Sequence, residues 1–206
     1  MPGGAGTGLT AGNYRVATGS AARIFAAMKV LMRIAAVLVG LAAVLALVGF
    51  VLPGHYRVER TAVIAAKPAA IFPLVGDLRA WPLWGVWFRR DPAMQIAYSA
   101  STTGVGAWSE WKSRSQGDGR MTVSSVRAPE RFAYRIEFPG MGMAATGTLA
   151  LAAGADGPTR VVMVMEGDLG RSPVNRWFGL FMDRMIGPDF DAGLANLKKV
   201  AEALPR

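Results

Sequence analysis

The side chains in this sequence best suited to a site are aromatic and sulfur-bearing. Trp81, Trp84 and Trp87 recur every third residue, with Phe88 beside the last. On an α or 3₁₀ helix this spacing gathers large rings on one side. Such rings either roof a ligand cavity or plug the end of a core, and the spacing serves both. Met163 and Met165 share one face of a strand, and Met182 and Met185 keep helical spacing opposite it. Flexible thioethers suit variable apolar ligands, and they equally fill irregular cores.

The ionisable residues offer little chemistry. Glu166 ends the apolar run Val161–Met165 and alternates away from Met165, which places it in solvent unless it pairs with Arg60 or Arg135. To act as a general acid it would need a cavity-facing carboxyl with a raised pKa. Glu110 lies between Trp108 and Trp111. His55 is the single histidine and the chain has no cysteine, so neither a Ser-His-Asp nor a Cys-His site has its parts. No His, Cys and carboxylate spacing fits zinc. The glycine-rich GMGMAATG stretch at 140–147 lacks the strand–loop–helix setting of a phosphate cradle. We therefore assign no catalytic residue, no metal and no cofactor from the sequence, leaving open a site of Tyr, Trp and Arg alone.

The elements that must hold these side chains follow from periodicity. Residues 56–65 read as a strand, 67–75 as a short helix opened by Pro68, and 77–84 as a second helical piece interrupted by Pro82. From Met94 the period becomes two, with strands near 94–98, 106–113, 121–126, 132–138, 144–152 and 159–168. Phe132, Tyr134, Ile136 and Phe138 alternate with Arg135 and Glu137, the mark of an antiparallel sheet with one wet face. The final 33 residues are helical, with a break expected at Gly187-Pro188. A stripe of Phe190, Leu194, Leu197, Ala201 and Leu204 must bury against the apolar face of the sheet. The fold class is α+β, a curved sheet gripping one long helix.

Ahead of this domain, Ile34–Leu52 is a run of 19 apolar or glycine residues. As a helix it reaches about 28 Å, close to the hydrocarbon thickness of a bilayer. It is apolar all round, longer than a signal-peptide core, and exits through Val48-Gly49-Phe50-Val51-Leu52 without a small-x-small cleavage pattern. Residues 28–54 are thus expected to be an uncleaved transmembrane anchor. Arg15, Arg23, Lys29 and Arg33 precede it with no acid. Basic flanks stay on the cytoplasmic side, so the N-terminus is expected inside and residues 55–206 outside the cytoplasmic (inner) membrane. Residues 1–27 are small, glycine-rich and aperiodic; they read as disordered, and Met28 would make an ordinary start.

Residues 55–206 keep +5 of the chain's +9 formal charge, with basic residues scattered singly among acids. No Lys/Arg cluster interleaved with aromatics is present, which argues against nucleic-acid binding. The membrane itself is the partner the sequence implies.

The order of elements resembles the helix-grip (SRPBCC) superfamily of START domains, the birch-pollen-allergen fold and polyketide cyclase/dehydrase-like proteins. Several stretches are similar to its membrane-anchored bacterial branch: Tyr56–Arg60, Trp81–Trp87 with Asp91-Pro92, Gly104–Ala107, Gly140–Thr148, Glu166–Asp168 and, most specifically, FGLFMDRMIGPDFDAGLANLKK at 178–199. The resemblance implies a cavity between sheet and long helix for apolar or amphipathic small molecules. Some members cyclise or dehydrate polyketides and many only bind or carry a ligand.

The expected cavity wall comprises Trp84, Trp87, Tyr98, Trp111, Phe132, Tyr134, Ile136, Met163 and Met165, faced by Phe178, Phe181, Met182 and Met185. The leading expectation is a non-catalytic, membrane-anchored binding module for a lipid, isoprenoid, quinone or similar molecule. A cyclase/dehydrase-type enzyme on a membrane-derived substrate and a closed-core protein-interaction domain are the alternatives.

Overall fold

The computed structural model describes residues 17–141, 143–154 and 157–204, together with Gly3. The chain divides into two compact units, residues 1–48 and 49–206.

The first unit is dominated by helix α1 (Ala17–Val51), whose last turn lies in the second. The stretch Arg23–Val51 is long and apolar enough to cross a membrane. Its side chains face outward, with Val37 and Val39 each 69% exposed, as expected of a helix apolar all round. The helix begins at Ala17, well before Met28, which corrects the expectation of disorder for 17–27. A helix already nucleated by the apolar run gains one backbone bond for each residue added, and Ala21-Ala22-Arg23-Ile24 resists that extension weakly. The rest of that expectation lies outside the described residues.

The second unit runs β1 (His55–Ile64), α2 (Pro68–Gly76), a 3₁₀ turn at Leu78–Ala80, α3 (Trp81–Trp84) and α4 (Val86–Arg90). Six more strands follow: β2 (Gln95–Tyr98), β3 (Trp108–Lys112), β4 (Gly119–Arg127), β5 (Arg131–Phe138), β6 (Met143–Ala153) and β7 (Thr159–Asp168). Helices α5 (Pro173–Gly179) and α6 (Met182–Glu202) close the chain. All seven strands form one antiparallel sheet ordered β1-β7-β6-β5-β4-β3-β2. The first strand thus joins the last, which wraps the sheet around a single core.

Alternation sorts the faces. Val58 and Ile64 of β1, Val161, Met163 and Met165 of β7, Leu149 and Leu151 of β6, and Phe132 and Tyr134 of β5 point inward and are buried. On α6, Phe190, Leu194, Leu197 and Ala201 are buried against them. Side chains on α6 then fix its direction along β1. Lys198 Nζ donates to the Val63 carbonyl at 2.9 Å, and Glu202 accepts from the Ala65 amide at 2.7 Å. Near the other end, Arg60 lies over Gly187, where an added Cβ would sit 2.0 Å from Nη2. The guanidinium donates to Asp183 at 2.7 and 3.0 Å and to Asp191 at 3.2 Å, so an i, i+4, i+8 stripe of α6 is fastened by one arginine.

The expected break at Gly187-Pro188 does not occur; α6 passes through it. Glycine before the proline relieves the clash that disfavours helix at that position, and the Arg60 fastening spans the site. The break comes earlier, between Gly179 and Met182. Ser172 caps the start of α5, its hydroxyl accepting from the Asn175 amide.

Candidate functional site

The inner face is not uniform along its length. Where β1 ends, Ile64, Leu149, Leu151, Val161 and Leu197 are closed off from solvent. Where β1 begins, Tyr56, Tyr98, Trp111 and Ile136 on the sheet and Trp87, Phe88 and Ile186 on the helices are only partly buried against the same core. This half-covered aromatic and aliphatic rim is the candidate site.

Glycines shape it. Tyr56 pairs with Gly167, Tyr134 with Gly147, and Trp111 with Gly119, each directly across a strand pair. A Cβ at Gly167 would lie 2.3 Å from the Tyr56 ring, one at Gly147 2.0 Å from Tyr134 Cζ, and one at Gly119 2.2 Å from the Trp111 ring. Each ring therefore lies down on a neighbouring glycine instead of standing off the sheet. Strand glycines at such positions permit bending and close approach. Tyr56 and Trp111 thereby lay ring faces along the rim, and Tyr134 lies in the core beneath it.

Beneath the rim the space is filled. Trp81 and Trp84 pack with ring centroids 4.7 Å apart and planes tilted by 46°, and Trp81 meets Tyr134 edge-on at 5.2 Å. Phe132 lies 6.0 Å from Tyr134. The indole of Trp81 donates to the Val75 carbonyl at 2.9 Å and that of Trp84 to Leu74 at 2.8 Å. These bonds satisfy carbonyls at the end of α2, which a helix terminus leaves without intrahelical partners.

The expected wall residues separate into three groups. Trp84, Phe132, Tyr134, Met163, Met165 and Met182 are in the packed core. Trp87, Tyr98, Trp111 and Ile136 are at the rim. Phe178, Phe181 and Met185 are 57%, 55% and 62% exposed, which corrects their placement opposite the sheet. The inward reading ran one unbroken helix from Phe178 to Met185, whereas Phe178 belongs to α5, Phe181 is the residue before α6, and only Met182 turns in. Sequence reasoning missed Tyr56 and Ile186 and named Phe88 only as a neighbour of Trp87; the in-strand Gly167, which invites a ring from the next strand, was the available signal for Tyr56.

Charge reaches the rim at Tyr98, where the Arg79 guanidinium lies 4.9 Å from the ring centroid. Burial pushes the Tyr134 phenol well above its ordinary range, with the Tyr56 phenol adding to the effect. Burial also raises Tyr56. Both rings are therefore neutral at ordinary pH, able to donate hydrogen bonds but not to act as phenolates. Other charged groups pair on the outer face, Glu166 with Arg57 and Glu110 with Arg120 at 3.4 Å. Asp189 holds the Trp87 indole at 3.0 Å and the Arg90 guanidinium at 2.9 Å. Among the described residues, no group of three or more His, Cys, Asp or Glu side chains is placed to hold a metal ion.

A curved antiparallel sheet wrapped on a long C-terminal helix defines a helix-grip domain. Residues 55–202 match the family described as polyketide cyclase/dehydrase and lipid transport, and the chain belongs to that family. Solved structures agree on the fold. A Chromobacterium violaceum protein aligns with 18% identity and a TM-score of 0.52, over 74% of this chain and 100% of its own. A Thermobifida fusca protein aligns with 20% identity and a TM-score of 0.55, over 70% and 92% of the two chains. DynU16, a protein in the dynemicin biosynthetic locus, aligns with 17% identity and a TM-score of 0.51, over 71% and 47%. The search of curated proteins returned no match.

Proposed function

We propose that this protein is a membrane-tethered binding module that takes an apolar or amphipathic small molecule, such as a lipid, isoprenoid or quinone, at the rim where β1 begins. The observation that carries the reading is the half-buried ring surface of Tyr56, Tyr98, Trp111 and Trp87 above a filled core. Rings laid flat on glycines offer apolar contact area that needs little reordering on binding. The neutral phenol of Tyr56, half-buried at the rim, would meet a carbonyl or hydroxyl on such a ligand. The family's lipid-transport description supports the same reading. Helix α1 is the tether, with the basic N-terminal flank inside and the domain on the outer side of the cytoplasmic membrane.

A thermal-shift titration tests this. A ligand bound to the folded state alone raises the melting temperature with its concentration, by about 2.7 kcal/mol of stability at a hundredfold excess over Kd. Lipids or quinones should raise the melt of the wild type and leave that of Trp111→Ala less changed. No shift across the panel sinks the binding reading.

The cyclase/dehydrase alternative draws on one specific observation, the half-buried Tyr56 phenol, which is neutral and able to donate to a carbonyl. Turnover of a bound ligand, abolished in Tyr56→Phe, would favour it.

A further inference from the structure

Nine large apolar side chains described between residues 55 and 204 are exposed, and five of them fall in the short stretch 174–185. Val174 is 61%, Phe178 57%, Leu180 54%, Phe181 55% and Met185 62% exposed. The other four, Val63, Leu83, Val105 and Leu204, are scattered singly, which is ordinary for a protein surface. A concentrated patch on the corner between α5 and α6 calls for an occupant.

Three features say what covers it. The first is charge: between Arg171 and Pro188 the chain carries Arg171, Arg176 and Arg184 against the single acid Asp183, which Arg60 engages. The second is position in the chain's own second unit. The Leu169 amide donates to the Gly54 carbonyl at 2.8 Å, and Arg176 Nη1 donates to the carbonyls of Phe50 at 2.7 Å and Leu52 at 3.2 Å. The patch thus begins beside the residues through which the apolar helix ends. The third is composition: aromatic and branched side chains interleaved with arginines, and Trp177 among them, are what the headgroup region of a bilayer selects.

We infer that the α5–α6 corner docks on the lipid headgroup layer of the membrane in which α1 is held, with Phe178, Leu180 and Phe181 entering the acyl boundary and Arg171 and Arg184 meeting anionic phosphates. This rests on the reading of α1 as a membrane span. It adds to that reading a second, reversible contact, which would present the ring-lined rim to lipid.

Site-directed spin labelling of the full chain in nanodiscs containing phosphatidylglycerol tests it, and the native sequence has no cysteine to remove. Labels are placed singly through Phe178→Cys, Phe181→Cys, Val63→Cys and Leu41→Cys, all exposed positions. Collisions with oxygen relative to a water-soluble nickel reagent should be several-fold higher at 178 and 181 than at 63. A water-like ratio at 178 and 181, with a lipid-like ratio at 41, overturns the docking and leaves the anchor standing. A water-like ratio at 41 overturns the anchor and the docking together. A slow, crowded label at 178 that shows neither oxygen nor nickel access marks a protein contact and also overturns it.

Discussion

Replacing Trp84 with alanine separates a core plug from a cavity wall. The Trp84 ring is fully buried, lies 4.7 Å from Trp81, and donates its indole proton to the Leu74 carbonyl at 2.8 Å. Its own carbonyl accepts from Asn196 Nδ2 at 3.1 Å, so α3 and α6 are joined at this residue. Removing the ring costs about 3–5 kcal/mol in lost burial and cavity. The stranded Leu74 carbonyl adds about 1–3 kcal/mol unless water reaches it. Against a usual domain stability of about 5–15 kcal/mol, this is a large fraction. At about 2–4 °C per kcal/mol for a chain of this size, the melt should fall by roughly 10 °C or more. Urea unfolding of Trp84→Ala, with Trp84→Phe to keep most of the ring while losing the bond, measures both parts. Phe178→Ala, at a residue 57% exposed, is the control and should stay within about 0.5 kcal/mol of wild type. If Trp84→Ala also stays within about 1 kcal/mol, the ring lines open space and the filled-core account fails.

Two glycines should both resist alanine, for different reasons. At Gly147 the new Cβ meets the fully buried Tyr134 ring, so overpacking should cost about 1–3 kcal/mol in chemical denaturation. At Gly187 it meets the Arg60 guanidinium and restores the clash with Pro188 that glycine relieves, so alanine should cost about 1–3 kcal/mol there as well, against a gain of up to about 1 kcal/mol in helix propensity. Acid should expose the Arg60 fastening. Hydrogen bonding to Arg60 holds the Asp183 carboxyl below its ordinary 3.8, so its contribution is complete above that pH and is lost as pH falls through the lowered folded value. The melting difference between wild type and Arg60→Ala should therefore be constant from pH 7 to about 5 and shrink below pH 3.8. A difference unchanged down to pH 2.5 would remove Asp183 from the account.

Local pattern carried much of this fold. Strand β7 spans residues 159–168, as its alternation and flanking turns require, and Phe132, Tyr134, Ile136 and Phe138 share the inner face of β5 while Arg135 and Glu137 pair with each other outside at 2.9 Å. What was not legible is non-local. The Arg60 fastening joins residues more than a hundred apart, and nothing in the sequence of α6 announces that an arginine will lie on Gly187. The helix break moved because spacing alone cannot separate a two-residue connection from a turn of helix; with it, Phe178, Phe181 and Met185 moved from the expected wall to the surface. Glycine–aromatic partners across strands set the shape of the rim, and they appear only once register is known. The tryptophan triplet illustrates the limit: two of its members are hydrogen-bonded core, whereas Trp87 turns to Asp189 at the rim, though all three share one spacing.

The most direct test of the central claim is native mass spectrometry of the full chain extracted from its own host membranes, compared with Ile136→Trp. That substitution places a large ring at a half-buried rim position, away from the packed core around Trp84. The account predicts a defined apolar adduct on the wild-type protein and its loss from a variant that still melts cooperatively. A wild-type protein carrying no adduct, or a variant carrying the same one in equal amount, would contradict binding at this rim.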